Sequence, residues 1–95
     1  MRVISHKAIA VFSGDHPQAL APLDHWYRTT LRAGWKSLPE IRRTFPHADA
    51  VGRLTVFNVG RGKYRLIARV NHRTQKVFIR AVLTHAEYDR GGWEE

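Results

Sequence analysis

Cysteine is absent from this chain. That excludes disulfide staples, thiolate zinc sites and thiol nucleophiles, and it leaves a small domain resting on its apolar core alone. Long apolar runs are missing too. No stretch approaches the ~20 residues that a membrane-spanning helix needs, and the opening Met1-Arg2-Val3-Ile4-Ser5-His6-Lys7 has no apolar targeting core. The cytoplasm is therefore the expected compartment, with no membrane partner. The most informative shortage is negative charge. Eight acids face sixteen Lys and Arg, a net charge of +8. Between Ala50 and Ala86 there is no carboxylate at all, while Arg53, Arg61, Lys63, Arg65, Arg69, Arg73, Lys76 and Arg80 crowd that window.

What is present suits one domain over residues 1–95. A chain of this size buries roughly 60–70% of the surface it exposes when unfolded. Its hydrophobic fraction of 43% and charged fraction of 25% are ordinary for a globular protein. No repeat, low-complexity tract or linker interrupts it. Periodicity divides the chain in two. Ser5 is placed to cap a short helix through Ala8, Ile9 and Phe12, closed by Gly14 and Pro17. Leu20, Leu23, Trp26, Tyr27, Thr30 and Leu31 trace the apolar stripe of a second helix, which Gly34 is expected to stop. Ser37-Leu38-Pro39-Glu40 reads as a capping box opening a third, which holds Ile41 and Phe45 and ends at Pro46.

From Arg53 the period changes to two. Leu54 to Asn58, Tyr64 to Val70 and Val77 to Leu83 read as strands, separated by a glycine-bearing turn over 58–63 and a polar turn over 71–76. Arg2 to Ile4 could add a brief edge strand. The expectation is an α+β fold: N-terminal helices packed on one face of a small antiparallel sheet, with a short C-terminal helix or turn. Strict alternation places Arg65, Ile67 and Arg69 on one face of the second strand, and Phe78, Arg80 and Val82 on one face of the third. If helices cover the opposite, apolar faces, then Arg65, Arg69 and Arg80 project together.

A positive sheet face can be merely solvated, but the complete lack of acids favours a polyanion. Phosphates suit Arg forks and Lys point charges, and affinity follows from counterion release. Phe78 could stack a base, whereas Tyr64 is expected to face the core. The window runs into Thr84-His85-Ala86-Glu87-Tyr88-Asp89. His85 and Tyr88 are three apart, on one side of a helical turn. A histidine is a competent acid or base near neutrality, a tyrosine can orient a nucleotide, and nearby arginines can stabilise a phosphorane-like transition state. That apparatus suffices for RNA cleavage in which the 2′-hydroxyl attacks its own phosphate. The structural alternative is that Thr84 caps a closing helix, Tyr88 packs, and Glu87 or Asp89 pairs with an arginine. His6, His16, His25, His47 and His72 show no metal-ligand spacing, so neither a metal nor another cofactor is expected. Gly60-Arg61-Gly62-Lys63 joins two strands and opens no helix, so it reads as a hairpin turn displaying two cations. Trp35 reads as a core anchor and Trp93 as packed or frayed.

These blocks carry a resemblance. Trp35-Lys36-Ser37, Phe45-Pro46-His47-Ala48-Asp49, Val56-Phe57-Asn58-Val59-Gly60, Lys63-Tyr64-Arg65-Leu66-Ile67, Ile79-Arg80 and Thr84 to Asp89 stand in an order and spacing that resemble the HigB family of type II toxins, within the RelE-like superfamily. The resemblance spans Val3 to Asp89. It implies a metal-independent endoribonuclease that cuts mRNA in the ribosomal A site, leaves a 2′,3′-cyclic phosphate and inhibits translation. It also implies neutralisation by a helix-turn-helix antitoxin of the HigA type. Carried onto this chain, it points to Arg65 and Arg80 at the scissile phosphate, His85 as general acid or base, Tyr88 against the nucleotide and Lys63 at the mouth. Lys36, Arg61, Arg69 and Arg73 would grip the RNA of the message or ribosome. The competing reading is a non-catalytic basic RNA-binding module, which shares the face but not the chemistry of the tail. A weaker third reading is an interaction subunit whose basic face fits an acidic protein.

Overall fold

The structure, a computed structural model, describes residues 1–94. Apolar residues at helical spacing over the first half form α1 (Lys7–Asp15), α2 (Leu20–Arg32) and α3 (Leu38–Thr44), with a 3₁₀ turn at Pro17–Ala19. Alternating residues over the second half form β3 (Leu54–Val59), β4 (Tyr64–Asn71) and β5 (Lys76–Thr84), an antiparallel meander. Two further strands, β1 (Arg2–Ile4) and β2 (Asp49–Val51), complete a five-stranded sheet in the order β1-β5-β4-β3-β2, and α4 (His85–Arg90) follows directly on β5. Among the described residues no helix is long and apolar enough to cross a membrane.

The α+β expectation holds, with local corrections. The sheet is mixed rather than wholly antiparallel, because β1 runs parallel to β5, with Val3 beside Val77. Strand β2 went unforeseen: it is three residues long and mostly exposed, so it offers no alternation to read. A two-residue turn, Gly52-Arg53, joins it to β3, with Gly52 at φ 60. Helix α1 takes His6 rather than Ser5 at its N-cap, and His6 makes no side-chain cap bond. Helix α2 stops before Gly34, since Ala33 is already extended and leads Trp35 into the core. Ser37 does cap α3 by accepting from the Glu40 N–H, but the Glu40 carboxylate accepts from Lys36 N–H instead of closing the box on Ser37.

The three helices cover one sheet face. Ile9 from α1, Leu23 and Trp26 from α2 and Ile41 from α3 bury against Phe57, Val59, Tyr64, Leu66, Ala68 and Val77. Trp26 and Trp35 both pack on Phe57, with ring centroids 5.4 and 6.1 Å away. Trp35 is thus the core anchor expected of it.

The other sheet face differs from simple alternation. Ile67 pairs with Ala81 but Ala68 with Ile79, so Arg80 is an extra residue, a β-bulge. Beyond it the side chains change faces. Val82 turns to the helix-side core, while Ala81 and Leu83 move to the opposite face. Both assignments reverse the expected ones. The face left free by α1–α3 therefore carries a second apolar cluster, Leu54, Val56 and Ile67 with Val51, Ala81 and Leu83, over which Tyr88 and Trp93 pack. Tyr64 lies on the helix side and is buried, as expected.

Candidate active site

Two pieces of local structure build one corner of the sheet. The first is the β3–β4 turn, where Gly60, Arg61 and Gly62 all adopt positive φ, 63, 58 and 86. Glycine is favoured at Gly60, because its positive φ strains any other residue and an added Cβ would press on the Tyr64 ring at 3.1 Å. The turn leaves Arg61 and Lys63 exposed and bends the backbone back so that the Lys63 carbonyl accepts from the His85 N–H at 2.9 Å. The second piece is the start of α4. Thr84 caps it by accepting from the Glu87 N–H at 3.2 Å, and the Glu87 carboxylate accepts from the Thr84 N–H at 2.8 Å. Hydrogen bonding of the carboxyl to the Thr84 backbone N–H and to the Thr84 side chain holds Glu87 below its ordinary pKa, aided by Arg90 and His16 and opposed by partial desolvation. Glu87 is thus committed to the cap and is not a proton donor at neutral pH.

The box aims the next residues. His85 Nδ1 lies 3.3 Å from Asp89 Oδ2, one turn on, with both side chains more than half exposed. A carboxylate on Nδ1 favours the tautomer with its proton there, which leaves Nε2 as the free ring nitrogen. Tyr88 turns inward onto the second apolar cluster. The Arg65 guanidinium lies over its ring, 5.1 Å from the centroid. Arg65 Nη1 donates to Gly62 O and Tyr64 O at 2.5 and 3.3 Å. Its Nε and Nη2 make no hydrogen bond among the described residues, so a two-pronged edge remains available to a phosphate. Trp93 stacks on Tyr88 at 4.8 Å between centroids, 17° from parallel, and donates Nε1–H to Tyr88 O at 3.0 Å.

Lys63, Arg65, His85 and Tyr88 therefore converge at one corner. Arg80 and Arg69 lie farther along the same face. With Phe78 and His72 they line an open hollow of about 580 Å³. Arg73 is exposed in the β4–β5 turn. Lys36 is exposed near it although distant in sequence, since His72 Nδ1 bonds the Trp35 carbonyl at 2.9 Å. Arg61 is exposed in the β3–β4 hairpin, near His47 and Asn58. The charges stand free: the described ion pairs are Arg28–Asp24, Arg42–Asp49 and His85–Asp89, so among the described residues no Lys or Arg of the acid-free window has a carboxylate partner.

The structural alternative for the tail holds in part. Thr84 does cap and Tyr88 does pack, but neither acid pairs with an arginine: Glu87 serves the cap and Asp89 faces His85. The pairing of Asp89 with His85 and the stacking of Trp93 on Tyr88 are the contacts at this corner that sequence reasoning missed, although Trp93 does pack as expected. For Asp89 a signal was available, an acid four residues after a histidine on a predicted helix. For Trp93 there was none, since it follows two glycines and obeys no period. Chemically the corner offers an oriented imidazole, a fixed phenol and a guanidinium with free donors, enough to move a proton and stabilise charge on a phosphate.

Residues 19–91 match the family described as HigB_toxin, RelE-like toxic component of a toxin-antitoxin system. The "mRNA interferase toxin HigB" of Escherichia coli (strain K12) is 34% identical over 92 residues, spanning 94% of this chain and 88% of that protein. The "mRNA interferase HigB" of Shigella flexneri matches to the same extent. That of Escherichia coli O6:H1 is 27% identical over 93 residues, 95% of this chain and 90% of the relative.

Proposed function

The chain belongs to the HigB family of RelE-like toxins, and from that premise we propose how its exposed corner cuts RNA. It is the toxin of a toxin–antitoxin system, an endoribonuclease that cleaves mRNA. The observation that carries the site assignment is the convergence of Arg65, Tyr88 and His85 at one end of a face whose cations have no described carboxylate partner.

The reaction is a metal-independent transesterification. The ribose 2′-oxygen attacks the adjacent phosphorus and the 5′-oxygen of the next nucleotide leaves. The 2′-hydroxyl proton is taken up and a proton is delivered to the leaving oxygen, giving a 2′,3′-cyclic phosphate and a 5′-hydroxyl. His85 supplies one of these transfers through Nε2, with Asp89 orienting the ring. The free edge of Arg65 holds the non-bridging oxygens, and Arg80 adds charge from the bulge. Tyr88, packed from below, orients the nucleotide, and Lys63 raises the positive potential at the mouth. Arg61, Arg69, Arg73 and Lys36, spread across the two ends of the face, extend the grip to RNA on either side. That spread fits a message held in the ribosomal A site. The working compartment is the cytoplasm, and the neutralising partner is a helix-turn-helix antitoxin of the HigA type.

The test is induction of the wild type, His85→Ala and Arg80→Ala in a bacterial host. Loss of growth arrest in the variants, with fold and antitoxin binding retained, is the expected outcome. Full toxicity of both would remove the site assignment. Antitoxin binding and salt-sensitive RNA binding without any cleavage would favour the non-catalytic module.

A further inference from the structure

The hollow at the far end of the basic face is built differently from the corner. Phe78 stands on it 38% exposed, unusual for an aromatic in a strand. It sits directly opposite Arg69 in the β4–β5 register, and the bulge keeps Arg80 beside it. The wall is the β4–β5 turn, held by a set of hydrogen bonds. Trp35 O accepts from both His72 Nδ1 and Gln75 Nε2 at 2.9 Å, Gln75 Nε2 also donates to His72 O at 2.8 Å, and Asn71 Oδ1 accepts from the Thr74 N–H at 3.1 Å.

These bonds dictate what the wall can offer. A carbonyl oxygen can only accept, so His72 Nδ1 carries a proton, and neutral His72 presents Nε2 as an acceptor. Asn71 spends its oxygen within the turn and keeps its NH₂ donors. An exposed aromatic ring, two guanidiniums with no carboxylate partner among the described residues, and a preset donor and acceptor together fit a splayed-out base: π-stacking, phosphate charge and edge hydrogen bonds. An acidic protein would want the arginines but not the donor–acceptor pair beside an exposed ring.

We propose that this hollow is a second nucleotide subsite, in which Phe78 stacks one unpaired base of the RNA and Asn71 and His72 read its edge. The proposal rests on the nuclease reading of the corner and adds sequence preference to it. Arg69 is four residues, about 13 Å, along β4 from Arg65. The base taken here therefore belongs to a different nucleotide from the one held at Arg65, and the cut acquires a preferred base at a fixed offset.

The experiment maps mRNA 5′ ends after brief induction of the wild type, Phe78→Ala, Phe78→Trp and Asn71→Ala, scoring base frequencies at each position around the cut. Circular dichroism and antitoxin capture check each variant. The wild type should show a bias at one position away from the scissile bond. Phe78→Ala should lose it, with cleavage efficiency falling about 5- to 140-fold, the range for removal of one base–aromatic stack. Phe78→Trp should keep it, and Asn71→Ala should change which base is preferred. Unaltered frequencies and efficiency in Phe78→Ala overturn the proposal and leave the nuclease reading intact. Loss of cleavage in both folded Phe78 variants also overturns it, because a stacking role is rescued by Trp. Lost antitoxin capture with unchanged cuts makes the hollow a protein-docking surface instead. Should Phe78→Ala fail to fold, the other two variants decide. A retained bias in Phe78→Trp with an altered one in Asn71→Ala then supports the subsite, and an unaltered bias in Asn71→Ala overturns it. A wild type that makes no cuts at all removes both readings.

Discussion

Replacing Arg65 with Lys keeps the charge and removes the fork. In the folded protein Arg65 makes two hydrogen bonds to hairpin carbonyls and one cation–π contact with Tyr88. At a half-exposed position the cation–π contact contributes about 0.5–1 kcal/mol, and Lys can still donate to the carbonyls. The stability lost by Arg65→Lys should therefore be small, about 1 kcal/mol or less. The catalytic loss should be larger. A donor aimed at developing charge contributes about 2.7–4 kcal/mol, or ~10²–10³ in rate, and an ammonium cannot present two parallel N–H groups to a phosphate. The assay is single-turnover cleavage of a defined message in a translating extract, alongside urea unfolding of the same preparations. A variant cleaving within about threefold of wild type would refute the assignment of Arg65 to the phosphate, since even the lower end of that range is ~10². A destabilisation large enough to leave much of the protein unfolded under the assay conditions would contradict the small stability loss expected above.

Other consequences follow from the same geometry. Trp93→Ala should loosen Tyr88 by removing a stack and a hydrogen bond together worth about 1–3 kcal/mol locally. Trp93→Phe, which keeps the stack, should recover most of the activity, and equal loss in both would contradict a stacking role. Glu87 has a depressed folded-state pKa, so its contribution to stability is present above its unfolded value of about 4.3 and is lost as pH falls through the depressed one. Amide protection of α4 should fall with acid in the wild type, while Glu87→Gln should lack that part of the titration; identical profiles would contradict it. Leu66, buried in the helix-side core, should cost about 2–5 kcal/mol when changed to Ala, seen as a lowered urea midpoint. A change below about 1 kcal/mol would contradict that packing.

Much of this architecture was legible because apolar periodicity and capping chemistry agree locally. The stripe of α2, the Ser37 cap, the glycine-bearing hairpin and the meander all appear where residue type dictates. The corner was legible for a related reason. With strands this long and turns this short, the start of β4 must meet the end of β5, which brings Lys63 and Arg65 beside Thr84 and His85. What stayed hidden depends on pairing rather than pattern. The bulge at Arg80 is one unpaired residue set by register with β4, and it reverses Ala81, Val82 and Leu83 relative to strict alternation. Strand β2 is too short to show a period. The cover of Tyr88 and Trp93 over the second cluster depends on how the chain folds back after α4, which no local propensity specifies.

The central claim is that the Arg65–His85–Tyr88 corner carries out transesterification. Its most direct test is the chemical identity of the new 3′ ends. RNA from cells induced for the wild type and for His85→Ala should be ligated with an enzyme specific for 2′,3′-cyclic phosphates and sequenced. The wild type should yield cyclic-phosphate ends within coding sequences, reduced ~10²–10⁴-fold in His85→Ala. Abundant cuts ending in 3′-hydroxyls, or cyclic ends undiminished in the variant, would contradict it.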